Sequence, residues 1–97
     1  MIVSFADPAT EDLFNGADTK RARKALPPDL VSGARRKLDY LDSARTVTDL
    51  RVPPGNRLEA LKGDRKGQHS IRINDQYRVC FVWTDAGPED VEITDYH

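Results

Sequence analysis

The stretch QHSIRINDQYRVCFVW, residues 68–83, decides the fold because apolar and polar residues alternate on both sides of a short polar break. Ile71 and Ile73 share one face of a first strand. The apolar residues of the second strand also share a face: Tyr77, Val79, Phe81 and Trp83. A period of two residues is typical of strands with one buried face, so the stretch predicts a β-hairpin.

The register of this hairpin follows from keeping apolar side chains on the same face. A two-residue turn would place Ile71 opposite Arg78, whereas a three-residue loop at 74–76 pairs Ile71 with Val79. The second arrangement is the better prediction. It also places Arg72 directly opposite Arg78 on the other face.

Two arginines across a strand pair repel each other by tenths of a kcal/mol to about 1 kcal/mol. One interpretation is an anion site, because two guanidinium groups facing the same way suit a phosphate. The equally weighted alternative is that Arg72 and Arg78 reach solvent, or pair with Glu59 or Glu92 on neighbouring strands. Arg78 is expected to be an exposed arginine of the sheet.

The segment VEITDYH, residues 91–97, continues the same pattern. Val91 and Ile93 take the apolar face, so Tyr96 takes the arginine face. In a regular strand His97 would fall on the opposite face from Tyr96. For both side chains to act together, the chain must turn after Asp95 or Tyr96.

The first half of the chain reads as helical. MIVSF is predicted to be a short strand, and Asp7, Pro8 and Gly16 mark the start and stop of a helix. Residues 17–26 form a loop or a second helical turn. A clearer helix follows Pro27-Pro28, with apolar residues at helical spacing: Leu30, Ala34, Leu38 and Leu41.

VPPGN, residues 52–56, separates this helical half from a strand-rich half. RLEALK at 57–62 and DVEITDY at 90–96 add strands to the hairpin, and GDRKG and DAGPE supply turns. Helices followed by consecutive strands predict an α+β fold. Its small twisted antiparallel sheet has two main helices packed on one face.

The composition of the 97 residues predicts one globular domain, residues 1–97, in a reducing cytoplasm. No apolar run is long enough to cross a bilayer, and no signal peptide is visible. The single cysteine, Cys80, cannot form an internal disulfide. One cysteine and two histidines lack the usual zinc ligand pairs, so no metal or other cofactor is expected.

Basic charge is confined to the middle of the chain, although the net charge is −1. Residues 20–51 carry nine bases against four acids, and residues 57–78 carry six against three. Residues 1–19 and 84–97 carry acids and no base. This segregation predicts a basic patch on a nearly neutral protein.

The segments NRLEALKGDRKGQHSIRINDQYRVCFVW and VEITDYH together resemble the HigB family of bacterial toxins, in the RelE/ParE superfamily of type II toxin–antitoxin systems. The resemblance extends to MIVSF and to the region around residues 30–50. LKGDRKG, QYR and the closing DYH are its most specific parts. The family's fold, a small twisted antiparallel sheet with two helices on one face, agrees with the pattern above.

The resemblance implies a ribosome-dependent endoribonuclease that cleaves messenger RNA in the decoding site and stops growth. It also implies two kinds of partner besides the ribosome. A HigA-like helix-turn-helix antitoxin would bind the toxin, and their complex would bind operator DNA.

Residue by residue, the resemblance assigns the active site to Lys62 of LKGD, Arg78 of QYR, and Asp95, Tyr96 and His97 of DYH. Further bases are candidate phosphate contacts: Arg57, Arg65, Lys66 and Arg72. Some relatives have a histidine where this chain has Glu59. Either Glu59 takes over some proton handling, or the site works without such a group. Glu59 shares strand parity with Arg57, so a salt bridge between them is the plainer explanation.

Metal-free RNA cleavage needs a base near the 2′-OH, cations for the developing phosphorane charge and an acid for the 5′-oxygen. Lys62, Arg72 and Arg78 supply charge. Tyr96 and His97 are the proton-transfer candidates, since histidine donates and accepts near neutral pH. Asp95 fixes the imidazole or pins the tail.

Three other features have plainer interpretations. His69 shares the parity of Ile71, which predicts packing, and Cys80 is expected to be a small buried residue. KRARK, residues 20–24, is typical of a solvated face. Two alternatives to the ribonuclease stay open: a ParE-like gyrase poison, and an inactive member that binds only antitoxin and operator.

Overall fold

A four-stranded antiparallel sheet carries two main helices on one face, as the sequence predicts. The computed structural model describes residues 1–95. In chain order the helices and strands are α1 (Pro8–Asn15), α2 (Lys20–Ala25), α3 (Val31–Ser43), β1 (Glu59–Ala60), β2 (His69–Arg72), β3 (Tyr77–Thr84) and β4 (Gly87–Asp95). Short 3₁₀ turns lie at Pro28–Leu30, Val47–Arg51, Pro54–Asn56 and Gly63–Arg65. None of the helices within residues 1–95 is long and apolar enough to cross a bilayer.

The hairpin of β2 and β3 has the register that the alternation predicts. Ile71 pairs with Val79, and Arg72 pairs with Arg78. The N–H of Ile73 donates to the carbonyl of Tyr77 over 3.0 Å, which closes the three-residue loop. The predicted register is therefore confirmed.

The helices begin and end where the capping residues indicate. The Asp7 carboxylate accepts from the Thr10 N–H at the start of α1, and Gly16 ends the helix with φ 73°. Thr19 caps α2, so the basic segment after α1 is a short helix. The hydroxyl of Thr10 is buried and accepts from the N–H of Ile93 over 3.1 Å, which fixes α1 against β4.

The helices and the sheet enclose one apolar core, which fills the space between α1, α2, α3 and the inner face of the sheet. Its buried members are Leu13, Ala22, Leu26, Ala34, Leu38, Leu41, Leu50, Ile71, Val79, Phe81 and Val91. The opposite face of the sheet is called the outer face below.

Two predicted strands are much shorter than the sequence suggests. MIVSF forms an extended segment along β4, with a single parallel bridge between Phe5 and Val91. RLEALK contributes only the two paired residues of β1. Alternation of apolar and polar residues does not specify which strand a segment pairs with. MIVSF pairs only along the free edge of β4, and RLEALK only along the free edge of β2.

The segment VPPGN is an ordered turn and not a loose break. Asn56 is fully buried, and its amide donates to the carbonyls of Leu50 and Val52 over 3.2 and 3.4 Å. Its side-chain oxygen accepts from the Lys37 ammonium over 2.5 Å. Burial of that ammonium lowers the pKa of Lys37, and the nearby Arg36 and Arg72 add to the shift.

A β-bulge in β4 changes which side chains share the outer face. Cys80 pairs with Glu92, but Val82 pairs with Glu89, so one extra residue is accommodated on β4. Asp90 lies at this bulge and has a left-handed backbone conformation, with φ 52°. Glu89 and Glu92 consequently lie on the same face, although they are three residues apart.

Candidate active site

The outer face carries the arginines that the sequence singles out. In register, Arg72 on β2 faces Arg78 on β3, and Arg78 in turn faces Thr94 on β4. Glu92 is two residues before Thr94 and shares its face. The predicted arginine face therefore exists, and β4 lines it as far as residue 95.

Arg78 is less exposed than expected, with 19% of its side chain accessible. Its Nη1 lies 3.7 Å from the Glu59 carboxylate, a separation that suits an ion pair but exceeds a hydrogen bond. The expectation of a freely exposed guanidinium is wrong, because most of the side chain is covered and the Glu59 carboxylate of β1 lies beside it.

Glu59 pairs with a different arginine from the one that strand parity suggests. Arg57 lies in a left-handed conformation with φ 47° at the end of a 3₁₀ turn, so the strand has not begun there. Within residues 1–95, Arg57 forms no ion pair with Glu59. The predicted Arg57–Glu59 salt bridge is wrong, and Arg57 is exposed.

Arg72 pairs with Asp75 in the hairpin loop, three residues further on. This contact and the Arg78–Glu59 pair reduce the repulsion expected between two arginines across a strand pair. The interpretation in which neighbouring acids neutralise the arginines is thus confirmed for Arg78. For Arg72 the acid belongs to the loop and not to a neighbouring strand.

Lys62 begins the loop between β1 and β2 and is exposed. It precedes the 3₁₀ turn Gly63–Arg65, in which Gly63 has φ 65°. Leu61 is buried and donates its N–H to the Gln68 carbonyl over 2.9 Å, so the base of the loop is fixed. Lys66 is exposed on the same loop.

Arg65 turns back from this loop toward β4. Its Nη1 donates to the Glu92 carboxylate over 3.1 Å and to the Gln68 side-chain oxygen over 3.0 Å. Sequence reasoning missed this contact, because 27 residues separate Arg65 from Glu92 and no periodicity connects them.

Cys80 and Ser70 form the buried centre of the outer face. They pair across β2 and β3, and both side chains are almost inaccessible. Burial raises the pKa of the Cys80 thiol, so the thiol stays protonated at neutral pH. The expectation that Cys80 is a small buried residue is confirmed.

His69 lies on the opposite face from the arginines. Its ring stacks on Phe81 with centroids 6.1 Å apart, which confirms a packing role. No residue between 1 and 95 offers a hydrogen-bond partner to its Nδ1.

Asp95 is the last described residue and pairs with Tyr77 at the end of β3. Its carboxylate accepts from the Gln76 side-chain amide over 3.0 Å, which fastens the end of β4 to the hairpin loop. The predicted positions of Tyr96 and His97 lie outside the described residues.

The fold is shared with a solved protein structure. The solved structure described as the YoeB–YefM complex from Staphylococcus aureus has a similar chain, with a TM-score of 0.61 and 16% sequence identity. The similarity covers 100% of this chain and 98% of that one. At this identity the likeness shows the fold alone.

Sequence comparison defines the family more narrowly. The family model described as "RelE-like toxin of type II toxin-antitoxin system HigB" matches residues 3–97. Toxin HigB-1 of Vibrio cholerae is 45% identical over 86 residues, which are 89% of this chain and 87% of that protein. Endoribonuclease HigB of Proteus vulgaris is 28% identical over 97 residues, covering 100% of both chains.

This chain belongs to the HigB family of RelE-like toxins. The resemblance identified from LKGDRKG, QYR and DYH is confirmed, as is the α+β fold that it implies.

Proposed function

We propose that this chain is the toxin of a type II toxin–antitoxin system and acts as an endoribonuclease on messenger RNA in the decoding site of the bacterial ribosome. The family match over residues 3–97 carries the proposal. It is supported by the relative named Endoribonuclease HigB and by the arginines of the outer face. The protein then works in the cytoplasm.

The reaction is attack of the RNA 2′-oxygen on its own 3′-phosphate, with expulsion of the 5′-oxygen. A base removes the 2′-OH proton, an acid protonates the leaving 5′-oxygen, and no metal ion is needed. The fragments carry a 2′,3′-cyclic phosphate and a 5′-hydroxyl. Arg78 and Lys62 stabilise the charge on the phosphorane, and Tyr96 and His97 transfer protons.

Other residues support these groups. Arg72, Arg57 and Lys66 contact flanking phosphates. Asp95 holds the end of β4, from which Tyr96 and His97 continue, and Glu59 orients Arg78 through their ion pair.

An antitoxin is the first partner of this toxin. The neighbouring YoeB structure is a complex with YefM, which supports a protein partner for this fold. We assign a HigA-like helix-turn-helix antitoxin to this chain, and we expect the toxin–antitoxin complex to bind operator DNA.

The decisive experiment is induction of the toxin alone in cells, followed by mapping of new messenger RNA 5′ ends. We expect cuts within translated codons whose 5′ ends carry a hydroxyl group, so that they require phosphorylation before adaptor ligation. Lys62→Ala and Arg78→Ala proteins, produced at equal levels, serve as inactive controls. Growth arrest with stalled gyrase–DNA complexes and no new RNA ends would overturn the proposal in favour of a gyrase poison.

A further inference from the structure

The loop between β1 and β2, residues 61–68, carries Lys62 and joins the sheet through a short strand. β1 contributes only two paired residues to the sheet. Beyond it, the Leu61–Gln68 hydrogen bond closes the base of the loop. Gly63 and Gly67 have φ values of 65° and 95°, so the loop bends sharply at two points. Such short loops open at a low free energy unless another element holds them.

The contact between Arg65 and Glu92 holds this loop against β4. The same guanidinium nitrogen, Nη1, reaches Glu92 over 3.1 Å and Gln68 over 3.0 Å. It therefore links the tip of the loop both to its own base and to a strand of the sheet. Both charged side chains are about one-third exposed, so the pair is accessible to solvent and adds little to global stability.

The two segments joined by this contact carry separate parts of the proposed active site. Lys62 is the second residue of the loop, and β4 runs through Thr94 to Asp95, the residue before Tyr96 in the sequence. The contact thus fixes the position of Lys62 relative to β4. A misplacement of about 1 Å in an active site costs up to about 10²-fold in rate.

We propose that Arg65 and Glu92 are positioning residues, which hold the Lys62 loop in its productive place through their ion pair. This inference rests on the proposed ribonuclease function. Arg65 then acts through the loop and does not bind the substrate phosphate itself, the role that the sequence suggests for it.

The two roles for Arg65 predict opposite effects of neutralising Glu92. If Arg65 bound phosphate, Glu92 would compete with the substrate, and Glu92→Gln would leave cleavage unchanged or raise it. If the pair positions the loop, Glu92→Gln lowers cleavage, although it makes the outer face more positive.

The first test compares Glu92→Gln with Glu89→Gln on ribosomes programmed with messenger RNA. Glu89 lies on the same strand and face, so its substitution removes the same charge without touching Arg65. For Glu92→Gln we expect kcat to fall about tenfold or more, KM to stay within about twofold and Tm to fall by less than about 5 °C. Glu89→Gln should keep the kcat of the unmodified protein. Equal or faster cleavage by Glu92→Gln would overturn the proposal.

The second test exchanges the charges. Arg65→Glu and Glu92→Arg should each lower kcat, and the double variant should recover a substantial part of the loss, because the ion pair is rebuilt in reverse. The positioning role would be contradicted if the kcat of the double variant were no higher than that of the less active single variant. An arginine on β4 rebuilds the ion pair, but it does not restore a phosphate ligand at position 65.

A third measurement separates this inference from the proposed function. Hydrogen exchange of the loop amides, residues 62–67, should accelerate in Glu92→Gln while the amides of β3 stay protected. If the unmodified protein cleaves and the loop exchange is unchanged, the positioning role fails alone. If the unmodified protein does not cleave on ribosomes, the proposed function fails and the positioning role with it, even where the exchange data show that the contact holds the loop.

Discussion

Arg78 is the residue whose environment differs most from its sequence expectation. Its guanidinium is mostly covered and lies at ion-pair distance from Glu59, while Arg72 reaches out to the hairpin loop. A substrate phosphate that approaches Arg78 must therefore compete with a carboxylate. This competition weakens the binding of an RNA phosphate that nothing else holds in place. The ion pair with Glu59 also keeps the Arg78 guanidinium in one orientation.

Arg78→Ala should reduce ribosome-dependent cleavage far more than Arg72→Ala, because we propose Arg78, and not Arg72, as a catalytic residue. Arg78→Lys retains the charge but lacks the planar fork, so it should also be strongly impaired. Initial cleavage rates and thermal unfolding should be measured on the same preparations. Because Arg78 is largely buried, its alanine variant is expected to lose about 1 kcal/mol of stability. A larger rate loss from Arg72→Ala would reverse the assignment of the two arginines.

His97 is tested by a substitution that keeps its size. His97→Gln should lower cleavage by about 10²–10⁴-fold, the usual contribution of a general acid or base. Folding and antitoxin binding should stay intact, because the core residues of β4 end at Ile93.

The matched control is His69→Gln, since His69 stacks on Phe81 in the core. It should lose stability and keep its cleavage rate at temperatures where it is folded. Normal cleavage by His97→Gln would leave Tyr96, Lys62 and Arg78 to carry the reaction.

Among the elements, the hairpin of β2 and β3 was predictable to the exact register, because a one-residue slip would bury Arg78 in the apolar core. The caps of α1 were equally clear, since Asp7, Pro8 and Gly16 each act on their own local backbone. The bulge at Asp90 was not predictable. It depends on how β4 meets the N-terminal segment, and no local pattern encodes that.

The same limit applies to the candidate site. Sequence reasoning found the facing arginines because they follow from strand register. It predicted a salt bridge between Glu59 and Arg57 from strand parity. That prediction was wrong, because the backbone at Arg57 is left-handed and does not belong to the strand. The Arg65–Glu92 contact arises only when a loop folds back on a distant strand, so no sequence pattern links these two residues.

The turn at Asn56 gives a stability prediction at the level of the element. Asn56→Ala removes the donors for the Leu50 and Val52 carbonyls and the acceptor for Lys37. Leaving a buried polar group without a partner costs about 1–3 kcal/mol. The bond to Leu50 is buried, whereas those to Val52 and Lys37 are only partly buried and cost less, so we expect a total loss of about 2–3 kcal/mol in the free energy of unfolding. Urea denaturation measures it directly.

The control for this turn is Asn15→Ala, which makes the same substitution at an exposed position. Its free energy of unfolding should change by less than about 0.5 kcal/mol. Equal effects at the two positions would show that the buried amide of Asn56 does not stabilise the turn.

Across the whole molecule, arginines lie next to carboxylates in both layers. The helical layer carries the exposed basic run of α2, where Arg21 and Arg23 pair with Asp12 and Asp18. On the outer face Arg65, Arg72 and Arg78 each pair with a carboxylate, so these three arginines offer little net attraction to RNA. These pairs balance part of the basic charge of the middle of the chain, and the net charge of the whole chain is −1.

This balance predicts that the ribosome must orient the substrate. Free RNA gains little from long-range attraction to the outer face, and it must also displace Glu59 from Arg78 without help. A messenger RNA held in the decoding site arrives in a fixed geometry, which turns the encounter into an effectively unimolecular step. Purified toxin should consequently cut messenger RNA on programmed ribosomes at least about 10²-fold faster than the same RNA free in solution.

The comparison needs equal RNA concentrations, with Lys62→Ala protein to expose any contaminating nuclease. Lowering the salt concentration should narrow the difference, because weak attraction to RNA is less screened. Equal rates with and without ribosomes at physiological salt would identify a free-standing ribonuclease.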